Sequence, residues 1–191
     1  MIFRLFRPSP RDHSIASLYG MIVAQARAPV FYQIYGVPDT VNGRLEMIIL
    51  HAVLLLRKLN VEQTSASVLG QAIFDRFCSD MDANLREMGV GDLAVPRRMQ
   101  QIGEAFYGRK AAYEAALAAD NRDVLAATLA RNVFGTGEQP GDDAIRLAAY
   151  VREAVRRLAD QDTAALSSGA LEYPDPAAVA AAGTPTGDSK T

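Results

Sequence analysis

Apolar residues recur at three- and four-residue intervals along most of this chain, and that spacing predicts helices separated by short polar breaks. The pattern begins near Arg11 with Ile15, Leu18, Tyr19 and Ile22, and Pro29 ends this first helix. Val30 to Tyr35 is a short aromatic segment between Pro29 and Gly36. No second good strand exists to pair with it, so it is read as a helical turn or an extended link. Asp39 or Thr40 caps the next helix, which runs to about Leu59. Its apolar residues, among them Leu45, Ile48, Ile49, Ala52 and Val53, cover more than one face. That breadth places the helix at the centre of a bundle.

A helix started by Ser65 or Ser67 continues through Met88, and Pro96 opens another at its first turn. Gly103 and Gly108 weaken the middle of that helix and suggest a kink or a close crossing. Asn121 caps a shorter helix ending near Phe134, a loop follows, and Asp142 or Asp143 begins a last helix to about Ala159. The predicted fold is all-α, a single-domain bundle of about six or seven helices. Its parts are an irregular arm at 1–10, a helical domain at 11–168 and a disordered tail at 169–191 rich in alanine, proline and glycine.

Composition sharpens this picture. The 191 residues suit one domain, and 7% aromatics with no tryptophan favour packed helices over a sandwich or barrel. A net charge of −2 offers no bulk attraction to nucleic acid, and no specific nucleic-acid sequence is expected as a partner. Cys78 is the only cysteine, so no internal disulfide forms; it lies on an apolar face and is read as a small core residue. The most apolar run, Met47 to Leu56, spans ten residues, against roughly 20 needed to cross a bilayer. No signal peptide or transit peptide is seen.

Chemistry is hard to place. Asp75, Asp80, Asp82, Glu87 and Asp92 make a crowd of carboxylates, but their spacing matches neither an EF-hand nor a helical metal pair. His51 sits in the most apolar helix and is read as a hydrogen-bonded core residue, and His13 as solvated or capping. P-loop, dinucleotide-binding and nucleophile-elbow motifs are missing from the sequence. The expectation is a protein that is not an enzyme and holds neither metal nor cofactor.

Phe74 to Asp92 remains the most informative stretch. Phe74, Phe77, Cys78, Met81, Leu85 and Met88 form one apolar stripe, with Asp75, Asp82 and Arg86 on the other side. Asp82 and Arg86 stand four apart in the favourable order for pairing. Gly89 suits a left-handed helix stop, Gly91 a second change of direction, and Asp92 an acceptor for backbone N–H groups of the turn.

Phe74–Met99, Glu104–Leu117, Phe31–Leu59 and the NVFG at Asn132–Gly135 resemble the ubiquinol–cytochrome c chaperone family, whose members assist assembly of respiratory complex III. The run from Leu85 to Asp92 is the specific piece. The resemblance implies a non-enzymatic assembly factor with newly made cytochrome b as client. Mitochondrial relatives work beside the ribosome and inner membrane with a small partner protein. The chain looks like a bacterial-type member acting in the cytoplasm against the inner membrane, in peripheral contact with it. A general helical adaptor with another soluble client is the alternative.

For such a role the candidate partner-binding residues are Tyr32, Tyr35 and Tyr107, whose hydroxyls suit a boundary, together with Asp75, Asp82, Arg86, Gly89, Gly91 and Asp92. Phe31 and Phe106 are read as core. Arg4 and Arg7 interleave with apolar residues in a pattern compatible with weak interfacial binding. Arg97, Arg98, Arg109 and Lys110, and Arg152, Arg156 and Arg157, are read as solvated faces.

Overall fold

A capping box starts the first helix: the Ser9 hydroxyl accepts from the Asp12 N–H at 3.2 Å, and the Asp12 carboxylate accepts from the Ser9 N–H at 2.9 Å. The computed structural model describes residues 9–61, 65–119, 121–137 and 139–183. All regular structure among them is helical: α1 (Pro10–Ala26), α2 (Pro29–Gln33), α3 (Val41–Val61), α4 (Ser65–Glu87), α5 (Val95–Ala118), α6 (Arg122–Leu129), α7 (Asp142–Ala159), α8 (Thr163–Ser167) and α9 (Pro176–Gly183). A π-helical turn, Ala130–Phe134, extends α6 without a break. The interfacial pattern of Arg4 and Arg7 lies outside the described residues.

Helix α3 is central, as its broad apolar arc requires. It packs against α1, α4, α5, α7 and the π-turn, and Met47 to Leu56 are buried along its length. Thr40 is its cap, accepting from the Gly43 N–H at 3.0 Å. The aromatic segment forms the one-turn helix α2, which sends Phe31 fully into the core.

A cluster of rings holds α2, α3 and α7 together. Phe31 stands 4.8 Å from Tyr150 and 5.4 Å from His51, centroid to centroid, in edge-on geometries. His51 is wholly buried, as the sequence predicts, and both ring nitrogens are bonded. Nδ1 faces the Met47 carbonyl at 2.8 Å and so carries the proton, which leaves Nε2 to accept from the Tyr150 hydroxyl at 2.9 Å. Burial pushes the His51 pKa down to about 4.

The tail boundary moves. Residues 169–183, expected from composition to be disordered, are packed on the bundle. Gly169 adopts φ +93° and reverses the chain after α8, close enough to α1 that a Cβ there would come within 3.1 Å of Ser14 Cα. Leu171 is then buried, the Tyr173 hydroxyl donates to the His51 carbonyl at 2.8 Å, and the Pro176 carbonyl accepts from Tyr35 at 2.8 Å. Small alanines let α9 lie against α7. A few anchors outweigh a low-complexity composition. Residues 184–191 lie outside the described set.

Candidate functional site

The apolar stripe of α4 has two ends with different fates. At one end Phe77, fully buried, and Phe74, half-buried, stack with the buried Phe106 of α5, at centroid distances of 5.1 and 4.8 Å. At the other end the stripe leaves the core. Met81 and Leu85 are still buried, but Met88 is 60% exposed.

Met88 opens onto a groove of about 290 Å³ between α3, α4 and α5. Val41, Leu45 and Ile48 of α3 form one wall, and Met81, Leu85 and Met88 of α4 the other. Ile102 of α5 contributes from the third side, while Arg27, Arg44 and Asn84 supply the polar rim. Val41 at its mouth is 73% exposed. An open apolar trough with a cationic and amide rim suits an apolar segment of another protein, anchored at helical intervals.

One ion-pair arrangement holds the rim, and a second ties off the end of α4 behind it. Arg44 bonds Asp39 at 2.6 Å and lies 5.9 Å from the centre of the Tyr32 ring, while the Tyr32 hydroxyl donates to the Ala26 carbonyl at 2.8 Å. Tyr32 therefore positions a rim cation. On the far face of α4, Arg86 bonds Asp82 at 2.7 Å and Asp92 at 2.6 Å, stitching the helix end to the turn that follows. The hydrogen bond from Arg86 holds the Asp82 carboxyl below its ordinary range.

Between them stands the glycine stop. Gly89 adopts φ +81°, its N–H bonds the Arg86 carbonyl at 2.9 Å, and the Val90 N–H reaches back to Leu85 at 3.0 Å. This paired closure satisfies the last carbonyls of α4 and turns the chain toward α5. The turn leaves Leu93 99% exposed beyond the groove.

The predicted site residues divide accordingly. Asp82, Arg86, Gly89 and Asp92 are brought together around the end of α4, and Tyr32 stands at the groove rim. Tyr35 is corrected: it is fully buried in the ring cluster, and its hydroxyl is spent on the Pro176 carbonyl. Gly91 is not in the left-handed region, so it makes no turn that needs glycine. Asp92 accepts from Arg86 rather than from the turn's backbone. Asp75 is bonded to Gln71 at 2.8 Å, seven residues before Asp82 and so roughly 10 Å along the helix. Tyr107 is 55% exposed but belongs with Phe74, 5.1 Å away, in a separate shallow cleft.

The groove walls from α3 and α5 are the part that sequence reasoning missed. Val41, Leu45 and Ile102 follow ordinary core periodicity. Only the continuation of the α4 stripe to Met88, at the very end of the helix, hints that the apolar surface outlasts the core. The Glu46–Arg109 pair was missed as well: Glu46 is 3% exposed and receives both Nε and Nη2 of Arg109, at 3.1 and 2.8 Å. Arg109, read from sequence as part of a solvated face, is instead the partner that makes a buried carboxylate tolerable.

Among the described residues no group of three His, Cys, Asp or Glu is placed to hold a metal, and no helix is long and apolar enough to cross a membrane. Burial and nearby Asp75 raise the Cys78 thiol pKa, which keeps it protonated.

A helical bundle that leaves an apolar groove open beside the end of α4 has the build of a protein-binding module. The family comparison specifies which kind. The family described as ubiquinol–cytochrome C chaperone matches residues 33–173, and the chain belongs to that family. Among solved structures, the crystal structure of the Cbp3 homolog from Brucella abortus is similar, with 39% identity and a TM-score of 0.80, covering 88% of this chain and 92% of that one. No curated protein matches the sequence.

Proposed function

We propose that this protein is a non-enzymatic assembly chaperone that binds newly made cytochrome b and supports assembly of the ubiquinol–cytochrome c reductase complex. The family match across residues 33–173 supports the assembly role. The groove beside Met88 supplies the surface: an apolar segment of a membrane protein needs shelter from water before insertion, and the trough between α3, α4 and α5 offers it. A volume near 290 Å³ takes a few anchoring side chains on one face of a client helix, not the whole helix. Contact with the client places the protein at the cytoplasmic face of the inner membrane, bound peripherally.

Deletion of the gene is expected to lower the spectrally detected cytochrome b of the membrane while its transcript stays unchanged. A photo-crosslinker at Met88 should capture nascent cytochrome b, and one at Val124, 40% exposed on α6, should not. Normal membrane cytochrome b in the deletion strain would refute the proposal. Recovery of a soluble partner alone would favour a general adaptor.

A further inference from the structure

The groove beside Met88 is charged on one side only. Its lining carries two cations, Arg27 and Arg44, the amide of Asn84 and otherwise apolar side chains, with no carboxylate among them. Arg27 closes α1 and Arg44 lies in the first turn of α3, so both cations belong to the wall opposite α4. Tyr32 ties them together. Its hydroxyl bonds the Ala26 carbonyl, one residue before Arg27, and its ring faces the Arg44 guanidinium. Burial raises the Tyr32 pKa, and the charges of Arg44 and Arg27 both oppose that rise.

These cations are not spent inside the chain. Arg27 is exposed and forms no ion pair among the described residues. Arg44 commits its Nε to Asp39 and leaves both Nη groups without a bond. Two acids stand behind the lining, and both are engaged. Asp39 holds Arg44, while half-buried Asp80 accepts from the Tyr19 hydroxyl at 2.9 Å and the Asn84 amide at 3.3 Å. Neither belongs to the surface that an occupant of the groove would touch.

We propose, resting on the reading of this groove as the client site, that its preferred occupant is an amphipathic helix with a carboxylate flanking its apolar anchors on the α1–α3 side. An apolar face alone fits such a trough in either direction and in several registers. A carboxylate meeting Arg27, with the Nη groups of Arg44 beside it, selects among them. A basic flank in the same place faces like charge and is refused. Because the rim is exposed, the pairing contributes selectivity more than affinity.

The test titrates the full chain into fluorescently labelled helical peptides with leucines at i, i+3, i+4 and i+7, flanked on one side by glutamate, glutamine or lysine. Binding is read by anisotropy at low and high salt. The glutamate peptide should bind about three- to fivefold more tightly than the glutamine peptide, and the lysine peptide more weakly than either. High salt should erase these differences. Arg27→Gln should remove the glutamate advantage and leave the glutamine peptide unchanged. Arg27→Glu should reverse the order in favour of lysine, which a merely structural role for Arg27 would not do. Equal binding of the glutamate and glutamine peptides by the wild type overturns the proposal. If Met88→Asp still abolishes that equal binding, the groove keeps its client role. A glutamate advantage that survives Arg27→Gln also overturns it. So does binding of no peptide, in which case crosslinking at Met88 judges the client site separately. Arg27-dependent sedimentation with phosphatidylglycerol vesicles, without discrimination among the peptides, overturns it in favour of a lipid surface.

Discussion

The ring cluster around His51 and the groove beside Met88 draw on the same helix yet end in opposite states. α3 gives Met47 and His51 to the cluster, and Val41, Leu45 and Ile48 to the groove. In the cluster every hydroxyl and ring nitrogen has a partner: Tyr150 with His51 and Gln25, Tyr173 with the His51 carbonyl, Tyr35 with Pro176. In the groove, polar groups are confined to the rim, while Met88 and Val41 are left 60% and 73% exposed. A region whose every donor and acceptor is satisfied internally is built for stability. A contiguous apolar surface left uncovered has a use outside the chain. Periodicity alone does not separate the two, because both obey it.

The sharpest break of that comparison is Phe31→Ala. Phe31 is fully buried against three rings of the cluster, and its truncation should cost about 3–5 kcal/mol, read as a lowered urea midpoint with an unchanged slope.

Acid attacks the same cluster through His51. Its folded pKa of about 4 lies below the ordinary 6.5. Between those values the unfolded chain binds a proton that the native chain refuses. The contribution is therefore complete above pH 6.5 and lost as pH falls toward 4, on the order of 3 kcal/mol in all. Urea titrations at intervals through this window should show the decline, with a shallower slope in His51→Gln. Equal slopes would mean that the cluster admits water.

At the groove end the effects on stability are smaller. Gly89→Ala forces a side chain into the left-handed region at φ +81° and should cost roughly 1–2 kcal/mol by thermal melting. Met88→Asp should change stability by no more than ~0.5 kcal/mol, yet abolish crosslinking to the client. Loss of both together would make Met88 a core residue and erase the contrast. Arg86→Ala is expected to change the melting temperature least, because its ion pairs with Asp82 and Asp92 are exposed.

Much of the bundle was legible before the structure. The caps at Thr40 and Asn121, the Pro96 helix start, the Gly89 stop and the burial of His51 are local chemistry, written within a few residues of where they act. The Asp82–Arg86 pair belongs to the same class. Less of the site was legible. Tyr35 and Tyr32 are three residues apart on one aromatic segment, and nothing in their types says that one hydroxyl would be claimed by Pro176 and the other by Ala26. Nor does composition announce that Leu171 and Tyr173 return to the core.

By itself the sequence determined the long helices as far as Ala159, most of their ends and the central place of α3, because helix periodicity, capping and glycine stops act over one to four residues. Helices α8 and α9 lie beyond what it predicted. The tertiary structure alone decided which apolar faces find cover. That choice depends on partners far along the chain: Tyr173 lies 122 residues from His51, and Arg109 lies 63 from Glu46. The groove at Met88 is what remains where three helix faces meet and no further segment of the described chain arrives to close it.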